Sequence, residues 1–403
     1  MATHRLYYDD SFLQTFTARV LSCAPIASVP QPAWKVLLDQ TAFYPSSGGQ
    51  PNDLGRVGEA RILDVRDDGE EIAHLVDREV ADGNVDCQLD WERRFDHMQQ
   101  HTGQHLLSAM FQERYGLPTV SFHLGEELCT IDLRGREPSG DVLQGAQRAA
   151  NAIIFEDRPI HVRYGTADQL AERGVRKEVE REGILRVIEI EGADLQPCGG
   201  THVKSTGQIG VVLVRRCMKI RQDWRVEFVC GGRASRLAGE DFQLLRRIAE
   251  RLSCGPEEAV GAIEKIAAER DAGFKNFRGA LEELAKARAE LMVAGVAPGE
   301  DGVRCVVALL REEHPELLVL LANELAKHEK TVALLAHEGT GQMVFAQSPG
   351  NAADLGAVLK QVLAAMAGKG GGTRDFVRGK LVDAAQSGAA LALAVELVGK
   401  SEG

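Results

Sequence analysis

The spacing of hydrophobic and polar positions changes several times along the chain. Residues 1–90 contain short alternating runs, such as WKVLLD, RILDV and VDCQLD, which Gly, Pro and Asp turns separate. Alternation with a period of two is typical of half-buried β-strands. Between 91 and 116 the apolar positions instead recur every three or four residues. That spacing predicts an amphipathic helix, which Gly116 ends.

Alternation resumes directly after this helix, in TVSFHLG (119–125), and CTIDL follows as a partner strand. Because successive side chains of a strand point to opposite faces, Thr119, Ser121 and His123 are expected to share one face. The pattern therefore predicts a row of polar side chains shortly after the helix.

The remaining patterns divide the chain into four predicted domains of an α+β protein. Residues 1–90 predict a β-barrel-like domain with a Gly-rich loop, FYPSSGGQPNDLG, and residues 91–235 predict an α+β domain. Residues 236–295, rich in Ala, Glu, Lys, Leu and Arg, predict a helical connector. Residues 296–403 predict a small α/β domain, in which VRCVVALL, ELLVLLA, KTVALLAH and QMVFAQS are expected to be strands.

Composition narrows the class of protein and its location. The chain has 403 residues, 44% of them hydrophobic and 26% charged, which is typical of a globular protein. It contains no run of apolar residues long enough to span a membrane, and its first residues lack the pattern of a signal peptide. Eight cysteines are scattered without a CxxC pair. These features predict a cytoplasmic protein with reduced thiols.

A net charge of −12 argues against a nucleic-acid partner, but the positive charges are locally concentrated. The segments 215–225 and 369–380 carry five and four basic residues, with one acidic residue each. Such patches can bind phosphate on an acidic protein, although a solvated surface is an equally open interpretation. The candidate phosphate-binding residues are Arg215, Arg216, Lys219, Arg221, Lys369, Arg374, Arg378 and Lys380.

Two short motifs contain the residue types that bind zinc. His101 and His105 are four residues apart, so they lie on the same face of the predicted helix. Cys198 and His202 repeat this spacing in QPCGGTH, where two glycines let the backbone bend. Three imidazoles and one thiolate favour a single zinc ion over magnesium or calcium. The helix lacks the Glu that metalloproteases carry after their first His, which excludes that class.

Four motifs in order, YPSSGGQPNDLG, HTGQHLLS, TVSFHLGEELCTIDL and CGGTH, resemble the alanyl-tRNA editing protein family (AlaX-like) over residues 1–235. Its members are freestanding relatives of the editing domain of alanyl-tRNA synthetase. GKGGGTRDFVRGK resembles the C-terminal, DHH-associated domain of the same synthetases, which makes the chain similar to the long form of the family. The tail departs from that pattern at Phe376, Val377, Arg378 and Lys380, where smaller residues are expected.

The resemblance implies a zinc-dependent hydrolase that removes chiefly serine, and also glycine, from mischarged tRNA(Ala) and spares Ala-tRNA(Ala). Gln104 and Thr102 are candidates for orienting water or substrate, with a plain helix surface as the alternative. Ser121 or Thr119, with His123 nearby, is the candidate for recognising the serine hydroxyl, with a half-exposed strand face as the alternative.

Three further alternatives stay open at this point. The protein could bind tRNA through a surface and hold a purely structural zinc, or it could deacylate another aminoacyl-tRNA. The C-terminal region could also form a homodimer instead of contacting tRNA.

Overall fold

The structure is a computed structural model that describes residues 2–26, 33–173, 175 and 183–400. Helices and strands are mixed throughout these residues, which confirms the predicted α+β class. The chain forms two compact units, Met1–Arg247 and Ile248–Gly403. The finer division into four domains stays a prediction. Among the described residues, no helix has both the length and the hydropathy that crossing a bilayer requires.

A closed barrel begins the first unit. Its strands follow one another around the barrel in the order β2-β3-β7-β6-β5-β8, while β1 and β4 form a separate parallel pair. Alternate strand residues, such as Val36 and Leu38, are fully buried in the barrel core. The strands are β1 (His4–Arg5), β2 (Thr15–Ile26), β3 (Ala33–Leu38), β4 (Gln40–Thr41), β5 (Gly55–Val57), β6 (Ala60–Asp67), β7 (Ile72–Val76) and β8 (Gly83–Leu89).

The helix predicted after the barrel is α1 (Trp91–Tyr115), which the side chain of Asp90 caps by accepting a hydrogen bond from the Arg93 amide. Gly116 ends α1 with a φ of 66°, a left-handed conformation that glycine adopts without strain. Nearly every residue of α1 from Met98 to Phe111 is buried, so the helix lies inside the first unit rather than on its surface.

Two sheets and two further helices follow α1 in the chain. The sheets have the strand orders β14-β15-β10-β9 and β11-β12-β13, and all their neighbouring strands are antiparallel. The elements are β9 (Thr119–Leu124), β10 (Cys129–Arg134), α2 (Gly140–Phe155), β11 (Ile160–Gly165), α3 (Ala167–Glu172), β12 (Leu185–Ile190), β13 (Asp194–Pro197), β14 (Val212–Ile220) and β15 (Asp223–Cys230).

The chain continues through two long helices into a five-stranded sheet with the order β16-β17-β18-β20-β19. Leu281, Ala285 and Ala289 of the second long helix contribute to one face of this domain's core. The elements are α4 (Gly231–Leu252), α5 (Ala259–Gly295), β16 (Arg304–Leu310), α6 (Glu316–Leu325), β17 (Thr331–His337), β18 (Gln342–Gln347), α7 (Leu355–Ala365), β19 (Gly368–Gly372), β20 (Phe376–Leu381) and α8 (Ser387–Lys400).

One predicted strand is wrong. ELLVLLA, residues 316–322, begins helix α6. The buried residues of α6 are Leu317, Leu318, Leu321, Ala322 and Leu325, which follow helical spacing. A continuous run of apolar residues has no period of its own, so it fits a buried helix as well as a buried strand.

Candidate metal centre

The two predicted ligand pairs meet in one cluster. His101 and His105 lie one turn apart on α1, and their rings are 5.3 Å apart. Cys198 and His202 belong to the loop that follows β13. A side chain at Gly200 would place its Cβ 2.3 Å from Cε1 of His101, so only glycine lets this loop approach the helix so closely.

The distances within the cluster fit a tetrahedral ion. One ligand atom from each of His101, His105, Cys198 and His202 lies within 4.8 Å of the others. Nε2 of His101 and Nε2 of His202 lie 3.4 and 3.2 Å from Sγ of Cys198. Zinc–nitrogen and zinc–sulfur bonds of about 2.1 and 2.3 Å at tetrahedral angles separate such atoms by roughly 3.5 Å. The residues therefore fit zinc in both chemistry and spacing.

Each histidine of the cluster has a partner for its other ring nitrogen. Nδ1 of His101 lies 2.8 Å from Oε1 of Gln50, and Nδ1 of His105 lies 3.1 Å from a carboxylate oxygen of Asp194. Nδ1 of His202 lies 3.1 Å from the hydroxyl of Thr102. Hydrogen bonds of this kind fix the ring orientation and leave Nε2 facing the centre, as metal-binding histidines require.

The electrostatics of the cluster favour a thiolate. Burial alone would raise the pKa of Cys198, but the neighbouring rings of His101 and His202 bring it well below its ordinary value of 9.0. Burial also lowers the pKa of His202 to about 3. For His105, burial acts in the same direction, but the interactions with Asp194 and Cys198 together outweigh it and raise the pKa to about 9. A cation bound among these groups would further stabilise the thiolate form of Cys198.

A cavity of about 670 Å³ opens beside the cluster, and three of the four candidate ligands, His101, His105 and Cys198, line it. Thr119, Val120, Ser121 and Phe122 of β9 also line this cavity. The strict alternation predicted for β9 fails because the register with β10 shifts between Asp132 and Leu133. The shift leaves Val120 without a partner residue on β10, so Thr119 and Ser121 do not share one face by simple alternation.

Polar side chains connect the cavity wall to the helix. Gln104 lines the cavity and donates a hydrogen bond of 2.9 Å to the Ser108 hydroxyl, which also accepts one of 2.8 Å from Thr119. Thr102 is fully buried and does not line the cavity, so the contact that it makes in the site is with His202. Its role in orienting water or substrate stays a prediction.

The Ser121 side chain is held by the ion pair between Asp132 and Arg225. Its hydroxyl donates a 2.9 Å hydrogen bond to Asp132, whose carboxylate also accepts hydrogen bonds of 2.8 and 2.9 Å from Nε and Nη2 of Arg225. The Arg225 guanidinium lowers the pKa of Asp132, which keeps it a charged acceptor. His123 is exposed and is not among the residues that line the cavity.

The Gly-rich loop of the barrel reaches the metal centre. Within this loop, residues 43–55, Gln50 is buried and contacts His101. Asp53 is fully buried beside Arg94 of α1, and both its carboxylate oxygens lie 3.0 Å from Nε of Arg94. The backbone amide of Tyr44 also donates to Asp53, at 2.6 Å. These contacts hold the loop against α1.

The basic residues near 215–225 lie on and after β14. Arg215 forms an ion pair with Asp241, so part of its charge is already neutralised. Arg216, Lys219 and Arg221 are exposed, and the Lys219 ammonium lies 5.8 Å from the ring of Trp224. This surface offers three exposed positive charges beside an aromatic side chain.

The basic residues of the tail lie on or beside the hairpin of β19 and β20. Lys369 and Lys380 are directly opposite each other and both are exposed. Arg378 is two residues before Lys380 and so lies on the same face of the hairpin. Arg374, in the connecting turn, donates to backbone carbonyls, with its shortest contact, 2.8 Å, to Ala352. Like charges opposite each other destabilise a sheet unless an anion lies between them.

Sequence reasoning missed two residues of the centre. Gln50 lies in the loop singled out for its glycines, and its amide gave no metal signal because glutamine is not a zinc ligand of the usual set. Asp194 is an ordinary acidic residue in the sequence, so nothing in its neighbours indicates that it faces His105. Both contacts join residues far apart in the chain.

Comparison with known proteins identifies the family. A family model described as "Threonyl and Alanyl tRNA synthetase second additional domain" matches residues 185–225. The chain is 31% identical to the alanyl-tRNA editing protein AlaX-L of Pyrococcus horikoshii, over 94% of both chains. It is 30% identical to the alanyl-tRNA editing protein Aarsd1 of Rattus norvegicus, over 92% of both chains.

A longer relative shares the same region. The alanine–tRNA ligase of Pyrococcus abyssi is 30% identical over 98% of this chain, which corresponds to 44% of the ligase. The two editing proteins match over nearly their whole length, whereas the ligase matches over less than half of its own. The protein belongs to the alanyl-tRNA editing protein family.

Proposed function

We propose that this protein is a trans-acting editing hydrolase that cleaves the ester of tRNA(Ala) mischarged with serine, and also with glycine, and spares Ala-tRNA(Ala). The observation that carries the proposal is the N₃S cluster of His101, His105, Cys198 and His202 at the wall of a polar cavity. The editing proteins that resemble the chain over nearly its whole length support it.

The proposed cofactor is one zinc ion, which these four residues would hold. When bound, the ion would polarise the ester carbonyl or lower the pKa of a bound water to about 7. The protein's own groups prepare the site. Gln50, Asp194 and Thr102 orient the imidazoles, and Gln104 presents its amide to the cavity, where it can hold a water or the substrate.

Discrimination must work against a smaller substrate, since alanine fits wherever serine fits. A site that hydrogen-bonds a hydroxyl rejects the analogue without it by roughly 10⁴-fold or more, because the site's own polar groups are left unpaired. Ser121 and Thr119 both line the cavity, and each is already fixed by a partner, Asp132 or Ser108. We therefore propose that one of them recognises the serine hydroxyl.

The proposed route for tRNA uses the exposed basic residues. Arg216, Lys219 and Arg221 extend from β14, and Lys369, Arg378 and Lys380 share one face of the β19–β20 hairpin. The close placement of Lys369 and Lys380 is favourable when a phosphate lies between them. The competing role for this tail is a homodimer contact.

The test of the proposed function is single-turnover deacylation of Ser-, Gly- and Ala-tRNA(Ala), before and after zinc is removed with a chelator. We expect Ser-tRNA(Ala) to be hydrolysed fastest, Ala-tRNA(Ala) to survive, and zinc to restore the activity that chelation removes. A chain that binds tRNA(Ala) but hydrolyses none of the three would instead be a binding protein with a structural zinc.

A different order of substrates would point to a deacylase for another aminoacyl-tRNA.

The structural-zinc alternative also makes a distinct prediction for the ion. Four protein ligands fill a tetrahedron, whereas a catalytic ion needs an open or exchangeable position. In the proposed enzyme, His202 or another of the four residues that would hold the ion would have to be loosely held, so that the ion could act on the ester or on a water.

A further inference from the structure

We propose that Gln50 is a positioning residue of the metal centre, which selects the nitrogen that His101 presents to the ion. The inference rests on the proposed zinc site, but it concerns a residue of the barrel domain. Gln50 is 1% exposed and belongs to the Gly-rich loop, residues 43–55. Its side chain contacts both motifs that supply zinc ligands.

The backbone fixes which way the Gln50 amide points. The backbone N–H of Thr201 can only donate, and it donates to Oε1 of Gln50 at 3.3 Å. The NH₂ group of the same amide donates to the hydroxyl of Thr201 at 2.9 Å. A flipped amide would set two donors against each other, so the oxygen has one possible position.

This orientation decides the tautomer of His101. Nδ1 of His101 lies 2.8 Å from the same Oε1, and two atoms that both accept cannot form a hydrogen bond. Nδ1 must therefore carry a proton, and in the neutral ring that binds a metal this leaves the lone pair on Nε2, 3.4 Å from Sγ of Cys198. The opposite tautomer would place a proton between His101 and the thiolate, where the ion is proposed to bind.

Gln50 consequently links the two ligand motifs through one amide. Thr201 precedes the ligand His202, and Gln50 contacts Thr201 and His101 together. Partners of metal-binding histidines are worth 10–100-fold in metal affinity. The barrel loop is therefore expected to contribute to zinc affinity, although it supplies no ligand.

The test compares variants of the full chain by competition for zinc with a chromophoric chelator and by the visible spectrum of the cobalt-substituted protein. Gln50→Met keeps the length of the side chain but offers only a weakly accepting sulfur, so we expect a 10–100-fold loss of zinc affinity and a changed cobalt spectrum. Gln50→Glu still accepts from both donors, so it should hold zinc at least as well as the native chain. Ser46→Ala, a change in the same loop away from the ligands, is the matched control.

A second measurement is independent of any variant. The ¹⁵N chemical shifts of His101 in the zinc-loaded native protein report its tautomer, and we expect a protonated Nδ1. The inference is overturned if Nε2 carries the proton, or if Gln50→Met binds zinc as tightly as Ser46→Ala. If the native chain binds no zinc, the proposed metal centre fails with it, whereas native binding with an unaffected Gln50→Met overturns the role of Gln50 alone.

Discussion

Removing the charge of Asp53 should destabilise the first unit strongly, because Asp53 and Arg94 form an ion pair in which both side chains are 0% exposed. Arg94 also donates to backbone oxygens of Ser11, at 2.9 Å, and Ala42. Breaking a buried pair by deleting one partner typically costs about 3–5 kcal/mol, since the other charge stays buried and unpaired. Asp53→Ala also leaves the Tyr44 amide without its acceptor, which adds about 1–3 kcal/mol.

The sum, about 4–8 kcal/mol, is comparable with the whole stability of a typical domain, about 5–15 kcal/mol. Asp53→Asn separates the two contributions, because it retains an oxygen for Tyr44 and loses only the charge. We expect its loss to be smaller than that of Asp53→Ala by roughly the 1–3 kcal/mol of one unsatisfied amide.

The assay is urea denaturation followed by tryptophan fluorescence, applied as a double-mutant cycle with Asp53→Ala, Arg94→Leu and both together. If the pair is the main interaction of each side chain, the stability lost in the double variant should be smaller than the sum of the two single losses by roughly 2–3 kcal/mol. Losses that add within about 0.5 kcal/mol would refute the reasoning, because the two side chains would then be acting independently.

Three further predictions follow from other parts of the chain. Burial lowers the pKa of His74 to about 4, so the folded chain resists its protonation. In the unfolded chain the imidazole titrates near 6.5, so the free energy of unfolding should fall by about 2 kcal/mol between pH 7 and 5. Urea denaturation of His74→Gln at both pH values should show a smaller fall. We expect Thr119→Val or Ser121→Ala to lower the ratio of the Ser-tRNA(Ala) hydrolysis rate to the Ala-tRNA(Ala) hydrolysis rate. If neither variant lowers this ratio, the proposed hydroxyl recognition is wrong. Replacing Lys369 and Lys380 by Ala should raise KM more than it lowers kcat and reduce the salt slope of tRNA binding by about one unit per lost phosphate contact, whereas an unchanged slope would favour a dimer contact.

The sequence predicted the parts of the site that depend on local spacing. His101 and His105 are one helical turn apart, and α1 begins and ends close to the predicted residues. The glycines beside Cys198 indicated a tight loop, and Gly200 does pack against His101. These inferences needed only neighbours in the chain, for which helix and turn geometry are sufficient.

The remaining parts depend on contacts that local patterns do not encode. Gln50 contacts His101, which is 51 residues away in the sequence. Asp194 contacts His105, which is 89 residues away. The bulge at Val120 depends on how β9 pairs with β10, so alternation alone assigned the faces of β9 too simply. ELLVLLA became a helix because tertiary packing, and not its apolar composition, decides between the two structures.

The span of the Gly-rich loop has a consequence for the order in which the chain folds. The barrel strands are complete at Leu89, and α1 follows at once, but Gln50 must meet Thr201, 151 residues later. Contacts of such long sequence separation form late, because the entropy of closing the intervening chain has to be overcome first. During synthesis the barrel and α1 can therefore assemble while half of the proposed ligand set has yet to emerge from the ribosome. If the proposed metal centre holds zinc, an ion that arrives at that stage would meet His101 and His105 without Cys198 and His202, so tight binding would have to wait for the second motif.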